Sequence, residues 1–313
     1  MKNFMTPLLL MAVLADAQTI TETFGSGANA FSIEFVTIGN PGNAPDTGTY
    51  FNTATSYSAG SVAYTYHLGK HEVSRDMINK ANSIGSLGIA MVDLIGGNGS
   101  NRPASGVTWY EAAKFVNWLN ISTGSTAAYK INDGIFQLWL PGDSGYSANN
   151  PFRNSLAKYV IASRDEWYKG AYGKPDGSWS KYPNGSDTTP AAVANGTLLN
   201  TAVYNGQFSP ADITSAGGLS AYGTMGQGGN VWEWTETAFD GVNDTAGEDR
   251  ELRGGNWAQQ QRFLEATFRN FDNPTKEYNS LGFRIASLPE PSSLSLLLAG
   301  GAVLMAGRRR KSD

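Results

Sequence analysis

Cysteine is absent from all 313 residues. No disulfide can staple the chain, and no thiolate is available as nucleophile, redox group or soft metal ligand. Stability must therefore come from packing, hydrogen bonds or a bound ion. Charge is also scarce: charged residues make up 16%, the net charge is −4, and the pI is near 5.3. Neutralising phosphates needs clustered Lys and Arg, so nucleic-acid binding is set aside. Histidine occurs only at His67 and His71. Gly-x-Ser-x-Gly, Walker and dinucleotide fingerprints are missing. So are internal repeats, βαβ alternation, and any Pro/Ser-rich linker or charge block inside the body.

What is present is enough apolar material for a core, with 41% hydrophobic and 12% aromatic residues. The 37 glycines, with Asn, Ser and Asp crowding stretches such as 95–100 and 142–145, predict a loop-rich chain. The body over 18–288 reads as one α+β domain. Two capping boxes predict helices. Thr108 and Glu111 open one expected to run to about Asn120, and Ser163 and Glu166 open a shorter one that Gly173 ends. These positions explain Glu111 and Glu166 without catalysis. β-branched and aromatic runs predict strands over 31–38, 61–70, 135–140 and 281–286. In that reading His67 and His71 share a strand face, where a two-histidine metal site is conceivable, although solvent-facing or hydrogen-bonded rings are the ordinary expectation.

The two ends carry export signals. Met1-Lys2-Asn3, an apolar run over 5–14 and Ala15-Asp16-Ala17 make a signal peptide over 1–17, with Gln18 as the expected mature start. Pro289-Glu290-Pro291, an apolar stretch over 294–307 and Arg308-Arg309-Arg310-Lys311 form a short membrane segment with a basic cluster that stays cytoplasmic. This second layout, 289–313, resembles the PEP-CTERM sorting signal of Gram-negative bacteria. The resemblance implies exosortase-type machinery as a partner. It also implies a protein first membrane-anchored, then at the cell surface or extracellular after C-terminal processing.

Five segments in order resemble the formylglycine-generating enzyme, or sulfatase-modifying factor, family over about 35–286. They are Tyr66-His67-Leu68-Gly69-Lys70-His71-Glu72-Val73-Ser74, the helix from Val107 through Trp118, Ser163-Arg164-Asp165-Glu166-Trp167-Tyr168, Gly228-Gly229-Asn230-Val231-Trp232-Glu233-Trp234, and Leu252-Arg253-Gly254-Gly255-Asn256-Trp257 with Phe268-Arg269 and Leu281-Gly282-Phe283-Arg284. The resemblance implies a loop-rich α+β fold related to the C-type-lectin fold. It also implies calcium at the carbonyls of Gly229 and Val231 and the carboxylate of Glu233, with a fourth side chain at Gly226, which has none. A second calcium set would be Asn200, Thr201 and Asp212. The family's paired, copper-holding thiols fall at Gln259 and Leu264, so no copper and no formylglycine chemistry are expected. Arg253, Arg269 and Arg284 are read as partners of buried carboxylates.

The reading that follows is an exported, surface- or matrix-associated protein that binds a glycan or protein ligand in a groove beside Trp234, Trp257 and Gln259. The alternative is an enzyme with cysteine-independent chemistry in the same groove, which a strongly perturbed carboxylate would favour.

Overall fold

The computed structural model describes residues 19–289. The signal-peptide and sorting-signal readings lie outside the described residues, apart from position 289. Among the described residues no helix is long and apolar enough to cross a membrane.

A five-stranded antiparallel sheet runs in the order Thr19–Phe24, Phe31–Ile38, Tyr66–Gly69, Ile285–Ser287, Tyr159–Ile161. The Phe31–Ile38 strand alternates buried and exposed residues at its start, the period expected where one sheet face is covered. A second sheet runs Asn270–Asp272, Arg250–Arg253, Trp232–Ala238, Leu281–Phe283, with its last pair parallel. Short two-stranded ribbons and long loops fill the rest. The α+β, loop-rich class is what the sequence leads one to expect.

The two sheets meet at Arg284. Leu281–Phe283 belongs to the second sheet and Ile285–Ser287 to the first, so the segment read as one strand over 281–286 changes sheets at this residue. Its guanidinium holds both sheets: Nε and Nη2 donate to Glu233 at 2.7 and 2.6 Å, and Nη1 donates to the carbonyl of Gly69 at 2.8 Å.

Helix α2, Trp109–Ser122, opens on the Thr108/Glu111 capping box and packs on the Tyr159–Ile161 strand. It runs two residues past the expected end. Asn120 on its inner face ties it down, accepting from the amides of Lys158 and Tyr159 and donating to the Tyr159 carbonyl. Helix α3, Arg164–Tyr172, begins at the Ser163 box and ends at Gly173 as expected.

Helix α1, Arg75–Gly85, has no counterpart in the sequence reading. Ser74 caps it, but the partner three residues on is the Met77 sulfur, so the usual carboxylate signature is missing. The strand read over 61–70 shrinks to Tyr66–Gly69, and that over 135–140 to Ile135–Gln137. His67 stays in its strand while His71 lies in the bend beyond it. The shared strand face expected for the two histidines is therefore not formed.

Candidate functional site

The Gly228–Trp234 turn is built by backbone that only certain residues tolerate. Gly229 lies at φ +85°, where a Cβ would stand 2.1 Å from the Val203 carbonyl oxygen. Asn230 follows at φ 56° and spends its side chain on two distant segments. Its Oδ1 accepts from the Ala211 amide at 2.7 Å, and its Nδ2 donates to Glu72 Oε2 at 2.6 Å.

Glu233 is fully buried, and both of its oxygens are engaged. Arg284 makes the two-pronged contact described above, and Trp167 Nε1 adds a donor at 2.7 Å. Gly226, where the resemblance asks for an oxygen-bearing side chain, has none. The Glu233 set therefore does not fit calcium: its only anionic ligand is neutralised by a guanidinium, and an arginine beside the ion would oppose it.

In the second set the Asn200 carbonyl accepts from Ala191 and the Thr201 carbonyl from Gly218, at 2.8 and 2.9 Å. Asp212 pairs with Arg102 at 3.4 Å. Among the described residues no three His, Asp or Glu side chains gather as a metal-ligand group.

Of the two thiol positions, Gln259 lies in a segment laid against 205–207, where the amides of Asn205, Gly206 and Gln207 donate to the carbonyls of Gln259, Ala258 and Trp257. Leu264 is wholly buried with Tyr182, Ala202 and Tyr204. Gln259 is half-buried, and its Oε1 has no hydrogen-bond partner.

The expected groove of Trp234, Trp257 and Gln259 is not assembled. The Trp232–Ala238 strand is buried along nearly its whole length, so Trp234 has no solvent face, and its Nε1 donates to the Val107 carbonyl. Trp257 is buried in a different cluster with Val203, Ala211 and Val231.

Among the concavities of the described residues, two are roomy enough to matter. One, of about 310 Å³, is an aromatic cleft of Tyr50, Phe51, Phe239 and Phe268 with Thr53, Thr55 and Thr267. Arg269 anchors it: its guanidinium lies 4.1 Å from the ring centroids of both Tyr50 and Phe239. Phe271, 45% exposed, extends the aromatic surface by packing on Phe239 at 4.3 Å between centroids.

The second cavity, of about 270 Å³, lies between the Phe31–Ile38 strand, the 71–74 bend and α1, and contains His71 and Glu72. Burial and the nearby Glu233 carboxylate push the Glu72 carboxyl up to about 8, against the pull of Arg284 and Asn230. Burial, then Arg284 and Lys70, push His71 down to about 4. Sequence reading named His71 and passed over Glu72. It also missed Arg153, which is buried and bridges Glu166 and Glu236 at 2.9 and 2.8 Å. The three arginines it did name pair with carboxylates as expected: Arg253 and Arg269 with Glu251, and Arg284 with Glu233.

Residues 92–288 match the sulfatase-modifying factor enzyme 1-like domain, and the chain belongs to that family. Hercynine oxygenases are among its relatives. The protein of Mycolicibacterium smegmatis is 32% identical over 142 aligned residues, 39% of this chain and 31% of that protein, and the one of Mycolicibacterium thermoresistibile is 30% identical over 142. The chain thus spans about a third of the length of these curated relatives. Similar solved structures include Treponema denticola variable protein 1, at TM-score 0.59 and 19% identity over 86% of this chain and 99% of that one. CarF matches at 0.59 and 21% over 82% and 98%, and PvdO from Pseudomonas aeruginosa at 0.55 and 16% over 86% and 98%. At these identities the structures establish the shared fold and nothing further.

Proposed function

We propose that this chain is a non-catalytic binding member of its family, exported and held at the cell surface, which takes a glycan in the aromatic cleft around Tyr50, Phe239 and Phe268. The observation that carries the reading is the fate of the thiol positions. Leu264 is packed into an apolar cluster, Gln259 cannot bind copper(I) or exchange with a thiol, and no other residue of the sequence supplies sulfur of that kind. Aromatic rings beside threonine hydroxyls and a fixed guanidinium suit the apolar face and hydroxyl rim of a sugar ring.

A specific observation favours the enzyme reading as a second choice. Glu72 is the kind of perturbed carboxylate that acid–base chemistry uses, but it lines the other cavity, which shares no residue with the cleft. Export and sorting by exosortase-type machinery rest on the sequence patterns of 1–17 and 289–313.

Displaying the protein to a combined glycan and peptide array tests the binding reading. Retention of a glycan class, lost in Phe239→Ala, is expected. Retention of peptides alone, or of nothing, overturns it. Mass spectrometry of a sulfatase-type cysteine peptide after incubation with the protein and copper is expected to show no formylglycine, and its appearance would end the non-catalytic reading.

A further inference from the structure

Among the described residues lining the aromatic cleft, Arg269 is the single charged one; the others are aromatic residues and threonines. The cleft wall thus carries one positive charge in a chain whose net charge is −4.

The guanidinium is fixed and incompletely paired. Its carbon lies 4.1 Å from the ring centroids of Tyr50 and Phe239, and Nη1 turns inward to donate to the Phe239 carbonyl at 2.9 Å. Its only ion pair among the described residues is with Glu251, through the same Nη1 at 3.5 Å. That carboxylate is wholly buried and already held by Arg253 Nε at 2.6 Å. One acid is therefore shared by two guanidiniums, and the longer contact falls to Arg269.

The other edge of the Arg269 fork is open. Among the described residues Nε and Nη2 donate to no acceptor, and neither is one of the buried polar atoms left without a partner, so both meet solvent. Along that edge a guanidinium presents two parallel N–H groups, which an anionic group with two oxygens accepts together. The flanking rings leave the side chain little freedom to lose when an anion docks. The exposed Thr55 hydroxyl on the same lining can donate to or accept from a sugar hydroxyl.

We propose that the ligand of this cleft is an acidic glycan, whose sugar ring lies against the aromatic wall and whose anionic group accepts from Nε and Nη2 of Arg269. This rests on the glycan reading of the cleft and adds the charge of the sugar. A neutral sugar would leave the open edge to water, whereas an anion gains a charge-assisted pair in partial shelter from it. The cleft, at about 310 Å³, lies at the small end of ligand pockets, on the order of 300–1,000 Å³, which suits one sugar ring with its substituents. Uronate carboxylates and sulfate esters both supply such an anion.

The test is a glycan array probed with the full chain in mild detergent. Oligosaccharides of glucuronate and galacturonate stand beside their methyl esters, and sulfated galactose oligosaccharides beside the unsulfated ones. Acidic members are expected to bind about tenfold or more tightly than their neutral counterparts, and to weaken as salt is added. Retention of the uronates alone assigns the carboxylate, and of the sulfated members alone the sulfate ester. Arg269→Gln should bring each acidic member down to its neutral counterpart; should that variant not fold, the wild-type comparison of each pair decides. Equal retention of acidic and neutral members overturns the acidic ligand and leaves the glycan reading standing. A preference for acids that persists in folded Arg269→Gln overturns the assignment to Arg269, and retention of no glycan at all overturns both readings.

Discussion

Glu72 occupies the space that a side chain at position 226 would enter: a Cβ on Gly226 would stand 3.1 Å from Glu72 Oε2. Gly226 also lies at φ +80°, a conformation L side chains rarely adopt. Adding the side chain that the family resemblance asks for should therefore do harm. Gly226→Asn is expected to lose about 1–3 kcal/mol from backbone strain and crowding of Glu72, with no gain in calcium affinity. Urea unfolding with and without calcium checks it. A variant stabilised by calcium would show that the ion site had only wanted this oxygen.

Arg284 joins the two sheets through Glu233, and the pair is wholly buried. Removing one member leaves the other as an uncompensated charge, which costs about 3–5 kcal/mol. Arg284→Met is expected to lose that much. Glu233→Gln should lose stability equally in chelator and in millimolar calcium, since its partner is an arginine. A loss seen only in calcium would restore Glu233 as a metal ligand. Calcium at Asn200, Thr201 and Asp212 is proposed separately: a calcium-dependent rise in Tm that Asp212→Asn abolishes supports it, and identical melting in chelator and calcium overturns it.

The parts of this fold legible in the sequence are those whose causes are local. Thr108 with Glu111 and Ser163 with Glu166 announce two helices because a capping box is a three-residue device. Helix α1 hides because its cap uses a methionine sulfur. The ordered motifs also announce the family, yet they misplace the groove. A tryptophan on a strand reads as a ligand platform only if one face of that strand meets solvent, and Trp232–Ala238 is covered on both. Glu166 shows the other limit: it caps Ser163 and also pairs with Arg153, a partner set by the tertiary fold that no spacing rule predicts. The Glu72 cavity is assembled from segments as far apart as Phe31 and Ile285, so no window of sequence contains it.

Localisation is tested at the two ends. The protein recovered from the producing cells is expected to begin at Gln18 and to lie outside the cytoplasm. Replacing Arg308, Arg309 and Arg310 by Gln should alter its release or anchoring, because the positive cluster sets which side of the membrane the C-terminus keeps. Cytosolic protein with Met1 intact would refute export, and unchanged release in the Gln variant would refute the sorting signal.

The pH dependence of stability follows from two buried carboxyls and the partly buried His71, whose shifts differ in sign. Glu72 has its carboxyl raised to about 8, facing Glu233 from the second sheet, Arg284 from the junction of the two sheets, and Asn230 and the Val231 amide from the turn. Its contribution is fully present below the unfolded glutamate value of about 4.5 and is lost as pH rises through 8. His71 is lowered to about 4, so its contribution is present above about 6.5 and is lost as pH falls through 4. Glu166 would be raised by burial, but Arg153 overrides this and holds it at about 2; its contribution is lost only in stronger acid. Between about 4.5 and 6.5 the Glu72 and His71 slopes oppose each other, so stability should be nearly flat there. It should decline on the acid side through His71 and then Glu166, and decline from 6.5 to 8 through Glu72 alone. Urea midpoints measured across this range in the wild type and in Glu72→Gln test the assignment. The Gln variant, having no carboxyl to ionise, is expected to lose the alkaline decline and keep the acid one. An alkaline decline that persists unchanged in Glu72→Gln would mean that another group carries it and that Glu72 is ionised throughout.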